Sequence, residues 1–152
     1  MNVGDLVEDF TLPDETGEPR SLQELLTEGP VVLFFYPAAL TPGCTAEACH
    51  FRDLAAEFRA VGARPVGISA DEVPRQREFA GRHGFGFPLL SDPSGEIRER
   101  FGVRRGFSLA PTKRVTFVIG EDRRVLGTVR SELRMSAHAD RALAVLRAVH
   151  GS

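Results

Sequence analysis

The apolar run Val31–Tyr36 leads within a few residues to Thr41-Pro42, and this junction limits the fold more than any other stretch of the chain. A run of β-branched and aromatic residues without polar alternation suits a strand covered on both faces. Such a strand belongs inside a sheet that carries helices on either side. Thr41 supplies an N-cap oxygen for the following N–H groups, and Pro42 fits the first helical position. A helix is therefore predicted from Pro42 to about Ala60, stopped by Gly62.

The remaining elements follow the same reading. Residues 1–30 are turn-rich, with a turn at Pro13–Gly17 and a capping box, Ser21-Leu-Gln-Glu, opening a short helix. Pro65–Ala70 reads as the next strand, and Asp71-Glu-Val-Pro opens a second long helix ending near Gly84. Phe87–Leu90 forms a short extended piece, then a turn at Asp92–Gly95 and a helical turn through Phe101. Arg114–Ile119 and Val125–Val129 flank a polar turn and make an antiparallel hairpin, and Ala137–Val149 closes the chain as a helix. This order argues for an α/β fold, a central mixed β-sheet flanked by helices, compatible with a thioredoxin-like core. No repeat or linker divides the chain, so residues 1–152 are expected to form a single domain.

Composition narrows the function. Lys plus Arg number 19 against 21 Asp plus Glu, a formal charge of −2 without a basic stripe, which argues against nucleic acid. The Val31–Tyr36 run is far too short to span a membrane. The first residues lack a basic start and an apolar signal core, so a cytoplasmic location is expected. In that reducing compartment a structural disulfide would not persist, and the 2 cysteines read as reactive or simply buried.

Those cysteines, Cys44 and Cys49, both fall on the first long helix. Cys44 takes the third helical position, among free N–H donors that bias its sulfur toward the thiolate. It shares a stripe with Ala48, Phe51, Leu54, Ala55 and Phe58, so a small buried hydrophobe is the competing reading. Cys49 points about 160° away from Phe51, toward the polar side. In an intact helix, residues five apart have Cα atoms roughly 8.7 Å apart, beyond the reach of a disulfide. Pairing of the two would require the first turns to unwind, and Gly43-Cys44-Thr45 are weak helix formers.

Pro37-Ala-Ala-Leu-Thr41-Pro-Gly-Cys44 resembles the Pro-x-x-x-Thr-x-x-Cys signature of the peroxiredoxins, thiol peroxidases on a thioredoxin-like scaffold with an N-terminal extension. Phe35-Tyr-Pro, Thr41-Pro-Gly-Cys-Thr, Glu47-Ala-Cys49 and Phe51-Arg-Asp53 are similar to the Q-type, or bacterioferritin comigratory protein, subgroup. The resemblance extends to Val66-Gly-Ile-Ser69, Phe87–Asp92 and Arg114–Ile119, nearly the whole chain. It implies that Cys44 is the peroxidatic thiolate, attacking hydrogen peroxide or an organic hydroperoxide to leave a sulfenic acid. It further implies that Thr41 orients the peroxide, Pro37 shields the thiolate and Arg114 stabilises the developing charge. Cys49 would be the resolving thiol, forming an intrachain disulfide that a thioredoxin-like reductant reopens. No cofactor is implied, and a monomer is expected.

Each residue also has a plainer reading. An Arg that begins a strand is usually a solvated edge charge, and alternation sets Arg114 with Thr116 and Val118 opposite Val115, Phe117 and Ile119. Glu47 reads equally as a surface residue or as a partner for an Arg in the pocket. Tyr36 reads as core with its hydroxyl at the pocket edge, and Phe34, Leu40 and Leu109 as apolar pocket neighbours. His83, His138 and His150 read as surface residues, and Cys44, Cys49 and His50 lack a zinc spacing. Two other functions compete: a general thiol–disulfide oxidoreductase, disfavoured by Cys-x-x-x-x-Cys spacing, and a redox-responsive binding protein whose helix melts on oxidation.

Overall fold

A computed structural model describes residues 1–104 and 112–150. Leu109, one of the three pocket neighbours expected from sequence, lies outside the described residues. The chain opens with an antiparallel pair, β1 (Thr11–Pro13) and β2 (Pro19–Ser21), joined through the turn at Asp14. A short helix, α1 (Leu22–Leu25), follows, with Ser21 Oγ accepting from the Glu24 amide at 3.1 Å as its cap.

The main sheet contains β3 (Val31–Phe35), β4 (Arg64–Ser69), β5 (Leu89–Ser91), β6 (Val115–Ile119) and β7 (Val125–Arg130), in the order β5-β4-β3-β6-β7. β3, β4 and β5 are parallel, whereas β6 pairs antiparallel with both β3 and β7. The sheet is thus mixed, with the long helices α2 (Pro42–Asp53) and α4 (Val73–His83) serving the parallel crossovers. Short α3 (Ala55–Ala60) and α5 (Glu96–Arg100) and the closing α6 (Met135–His150) complete the order.

Alternation along the central strands divides the core in two. Val31, Leu33 and Phe35 face one side with Phe117, packed by Leu22 and Leu25 of α1, Ile97 of α5 and Phe101. Val32, Phe34 and Val118 face the other, covered by Ala48 and Phe51 of α2, Phe58 of α3, Phe79 of α4 and Leu143 of α6. The Phe34 ring stacks on Phe51 at 4.3 Å between centroids. Full burial of each such ring stabilises by about 1.5–3 kcal/mol. Phe34 is therefore core and not an open pocket wall, because the even positions of β3 point into the helical layer. Gly67 on β4 is required by this packing: a Cβ there would stand 2.8 Å from Leu89 and 3.0 Å from both Phe34 and Tyr36.

One element differs from the sequence reading. The helix expected to run from Pro42 to about Ala60 breaks at Leu54, where φ −96° and ψ 14° leave the helical basin. Only residues 61–63 connect α3 to β4. The last turns must tilt back to the sheet, and the break lets Phe58 bury beside Phe51 while the chain turns.

Strand register sets the position of everything that follows. Phe35 pairs with Val115, so the start of β6 lies beside the end of β3, where the chain leaves for α2. Val115 also pairs with Arg130, which brings the β7–α6 connection to the same sheet end. Among the described residues no helix is long and apolar enough to cross a membrane.

Candidate active site

The residues between β3 and α2 are held from α4 and the end of β4. The Ala39 amide donates to Asp71 Oδ2 at 2.7 Å, and the same oxygen accepts from Ser69 Oγ at 2.7 Å. Arg75 donates to the Ala39 carbonyl at 3.2 Å and pairs with Asp71 at 3.3 Å. These bonds hold Leu40 at φ 69°, a left-handed conformation costing a residue with a side chain roughly 1–2 kcal/mol. The turn delivers Thr41 to the N-cap of α2 with φ −82° and ψ 152°.

Thr41 does not cap with its side chain as the sequence predicts. Its hydroxyl instead donates to the Ala38 carbonyl at 2.7 Å, while its own carbonyl accepts from the Thr45 amide at 2.9 Å. The tight turn at Leu40 brings the Ala38 carbonyl within reach, and one proton cannot serve two bonds. The first-turn amides of α2 consequently keep their outward N–H dipoles beside Cys44.

Cys44 is a free thiol with 1% exposure. Arg114 is buried too, and its Nη2 donates to Cys44 Sγ at 3.4 Å while its Nη1 donates to Glu47 Oε1 at 2.6 Å. The Arg is therefore not a solvated edge charge: the β3–β6 register aims it across the sheet end at α2. Gly43 makes the approach possible, since a Cβ there would stand 3.3 Å from Arg114 Nη2 and 3.6 Å from Met135 Sδ.

Glu47 is fully buried. Burial pushes its carboxyl up to about 8, against the pull of the Arg114 charge and with a further push from Glu132. Burial works against the Arg114 cation, but Glu47 and the Cys44 sulfur together hold its affinity for the proton above the ordinary arginine range. Behind Glu47 stands His138, wholly buried, with Nδ1 3.5 Å from Glu47 Oε2. The expectation of a surface His138 is overturned: α6 packs this face onto β6. Thr116 Oγ1 lies 2.8 Å from Nδ1, and Nε2 lies 2.7 Å from the Ser131 carbonyl. A carbonyl only accepts, so Nε2 carries the proton and Nδ1 accepts from Thr116, the neutral ring. Burial first, then the charges of Arg114 and Arg141, lower its tendency to protonate. Among the described residues, Glu47 Oε2 and Arg114 Nε are buried without a hydrogen-bond partner.

Cys49 is half-buried, packed at the margin of the helical-side core, with Sγ 3.9 Å from His83 Nδ1 at the end of α4. It does not face open solvent as helical spacing alone suggested, because α4 covers that side of α2. Cys44 and Cys49 are unpaired. Tyr36 is fully buried, and its hydroxyl donates to Gln76 Oε1, in the core and not at a pocket edge. Pro37 and Leu40 are half-buried in the turn before Thr41. His50 pairs with Asp140 at 2.8 Å, tying α2 to α6. Among the described residues no group of three or more His, Cys, Asp or Glu side chains is arranged to hold a metal ion.

Of the two buried neighbours of Arg114, the sequence left Glu47 open between surface and pocket and placed His138 wrongly on the surface, although both carried a signal. Glu47 follows Cys44 by three positions and precedes Phe51 by four, which sets it on the buried stripe. His138 precedes Ala142 by four and Leu146 by eight, the inward spacing of α6.

The arrangement has counterparts among known proteins. The model of the AhpC/TSA family matches residues 3–127. The crystal structure of peroxidoxin BcpB from Mycobacterium tuberculosis superposes with a TM-score of 0.94 at 60% identity, covering 98% of each chain. A bacterioferritin comigratory protein of Xanthomonas campestris, described for alkyl peroxide reduction, superposes at 0.87 with 30% identity over 99% of each chain. Peroxiredoxin Q of Arabidopsis thaliana chloroplasts is 37% identical over 97% of this chain and 68% of its own length. With Cys44, Thr41 and Arg114 gathered at one sheet end, and with nearly the whole of this chain matched by these relatives, the chain belongs to the AhpC/TSA family, among the Q-type peroxiredoxins.

Proposed function

We propose that this chain is a thiol peroxidase that reduces hydrogen peroxide and organic hydroperoxides through Cys44. The observation that carries the reading is the 3.4 Å contact between Arg114 Nη2 and Cys44 Sγ. A fixed guanidinium beside the sulfur favours the thiolate and stabilises negative charge as the O–O bond breaks. The sulfur attacks the terminal peroxide oxygen, leaving Cys44 as a sulfenic acid and releasing water or an alcohol. Thr41 has committed its own proton to the Ala38 carbonyl, so its oxygen is free to accept the peroxide O–H and orient it. Pro37, in the turn preceding Thr41, limits water at the sulfur.

Cys49 resolves the sulfenic acid as an intrachain disulfide. The first turns of α2 unwind for this step, and a thioredoxin-type reductant then restores both thiols. The weak helix formers Gly43-Cys44-Thr45 and the absence of a side-chain cap at Thr41 support such opening.

The test is rapid mixing of reduced protein with one equivalent of peroxide, followed by mass spectrometry of the peptide carrying Cys44 and Cys49. Rapid loss of two hydrogens, with the link mapped to these residues, is the expected result. Cys44→Ser abolishes turnover, and Cys49→Ser retains sulfenic acid formation but stops thioredoxin-supported cycling. Undiminished peroxide turnover by Cys44→Ser would overturn the proposal.

A further inference from the structure

The second thiol has a base beside it that the peroxidase reading leaves unused. Cys49 Sγ stands 3.9 Å from His83 Nδ1, within reach of a thiol hydrogen bond. The imidazole is held on two sides, stacking on Phe85 at 5.4 Å and meeting Phe79 edge-on at 5.7 Å, and the His83 backbone carbonyl accepts from Arg52 Nη1 at 2.9 Å. Arg52 belongs to α2, three residues beyond Cys49, so one ion-assisted bond ties the Cys49 region of α2 to the end of α4.

We propose that His83 is the general base of the resolving step, taking the Cys49 proton as its sulfur attacks Cys44. The proposal rests on Cys49 being the resolving thiol. Cys49 S–H transfers its proton to Nδ1, and the thiolate attacks the Cys44 sulfenic sulfur. An S–S bond forms while the S–O bond breaks. The departing hydroxide takes a proton from the imidazolium and leaves as water, and the ring returns to neutral. The sulfenic sulfur is reduced, the Cys49 sulfur is oxidised, and no outside reagent enters.

The packing assigns the two halves of α2 different parts in this step. Phe51, stacked on Phe34, and Arg52, bonded to α4, anchor the helix just after Cys49. Unwinding confined to the turns before Cys49 brings Cys44 across while Cys49 stays against its base. The charged neighbours of the ring are Arg52 from α2, itself paired with Asp53 at 3.1 Å, and the Arg82–Glu78 pair on its own helix. Each arginine is thus offset by a carboxylate partner.

The experiment separates the two chemical steps in single-turnover mixing with hydrogen peroxide. A sulfenic acid trap reads the first step, and mass spectrometry of the Cys44–Cys49 disulfide reads the second. His83→Phe keeps the ring on Phe85, and His83→Gln keeps a polar partner for the thiol; neither side chain can accept the proton. Both variants are expected to form the sulfenic acid at the parent rate and the disulfide about a hundredfold more slowly, the low end of a positioned general base. Added imidazole is expected to recover part of the second step in His83→Ala, which opens the space the ring filled, but not in the parent. Disulfide formation at the parent rate in both variants overturns the role of His83. A parent protein that accumulates sulfenic acid without any Cys44–Cys49 disulfide overturns the underlying resolving reading instead.

Discussion

The carboxyl of Glu47 lies 2.6 Å from a permanent cation, Arg114, and 3.5 Å from a neutral imidazole, His138. Its proton is retained up to about pH 8 because burial penalises the anion more than Arg114 rewards it. Below that value the Arg114 charge is directed chiefly at the Cys44 sulfur. Above it, the Glu47 carboxylate competes for the same guanidinium, and less of its charge is directed at the sulfur. The second-order rate of sulfenic acid formation is therefore expected to fall on an alkaline limb near pH 8, and Glu47→Gln is expected to lack that limb. Stopped-flow pH profiles of the two proteins decide it; superimposable alkaline limbs would defeat the argument. Gly43 offers a second test at this scale. Ala is the better helix former by roughly 0.5–1 kcal/mol, yet its Cβ would press on Arg114 Nη2 at 3.3 Å. Gly43→Ala should unfold at equal or higher denaturant while its reaction with peroxide slows about tenfold, a displacement of the guanidinium costing about 1.4 kcal/mol of barrier. Residues of this kind were only partly legible in the sequence. Cys44 announces itself through the Thr-Pro helix start. Arg114 reads as an edge charge until the β3–β6 register is known, because its partner is 70 positions away.

Helix α2 joins two regions of different firmness. Its first turn is Pro-Gly-Cys-Thr without a side-chain cap, whereas its second half carries Phe51 in the core, Arg52 on α4 and His50 on Asp140 of α6. Local opening follows such differences in anchoring. Oxidation to the Cys44–Cys49 disulfide is expected to raise amide hydrogen exchange at residues 44–48 by an order of magnitude or more, leaving β3 and α3 unchanged. Equal protection of residues 44–48 in the reduced and oxidised forms would mean that the helix does not open. The helix existed on paper for the right reasons, a start signal and an apolar stripe. Its break at Leu54 did not, because nothing in Asp53-Leu-Ala marks a stop. That kink answers a tertiary demand, the short return to β4, which local propensity does not encode. The side of Cys49 was misjudged for a related reason: periodicity gives a direction, and only the packed α4 says what lies there.

Over the whole molecule, the sheet was readable and the polar interior was not. The continuous apolar run Val31–Tyr36 reads as a strand covered on both faces, and the observed order β5-β4-β3-β6-β7 puts β3 at the centre. The residues alone left the burial of Glu47 open and read Arg114 and His138 as surface groups, yet all three share the inside of the fold. Their burial has a thermodynamic signature. The folded carboxyl of Glu47, at about 8, lies above its ordinary 4.5. Its protonated form thus stabilises the fold fully below 4.5, and that contribution is lost as pH rises to about 8. His138 works in the opposite sense: its proton affinity is lowered by folding, so it stabilises above 6.5 and loses that contribution as pH falls through its folded value. Only Glu47 differs between the parent and Glu47→Gln, so their difference in unfolding free energy isolates the carboxyl. The two proteins should be close in stability near pH 4.5, and the variant should gain on the parent by on the order of a few kcal/mol by about pH 8. Urea unfolding at a series of pH values measures this. A variant that loses ground as pH rises would instead mean that the ionised Glu47–Arg114 pair, and not the protonated acid, is the form the fold prefers.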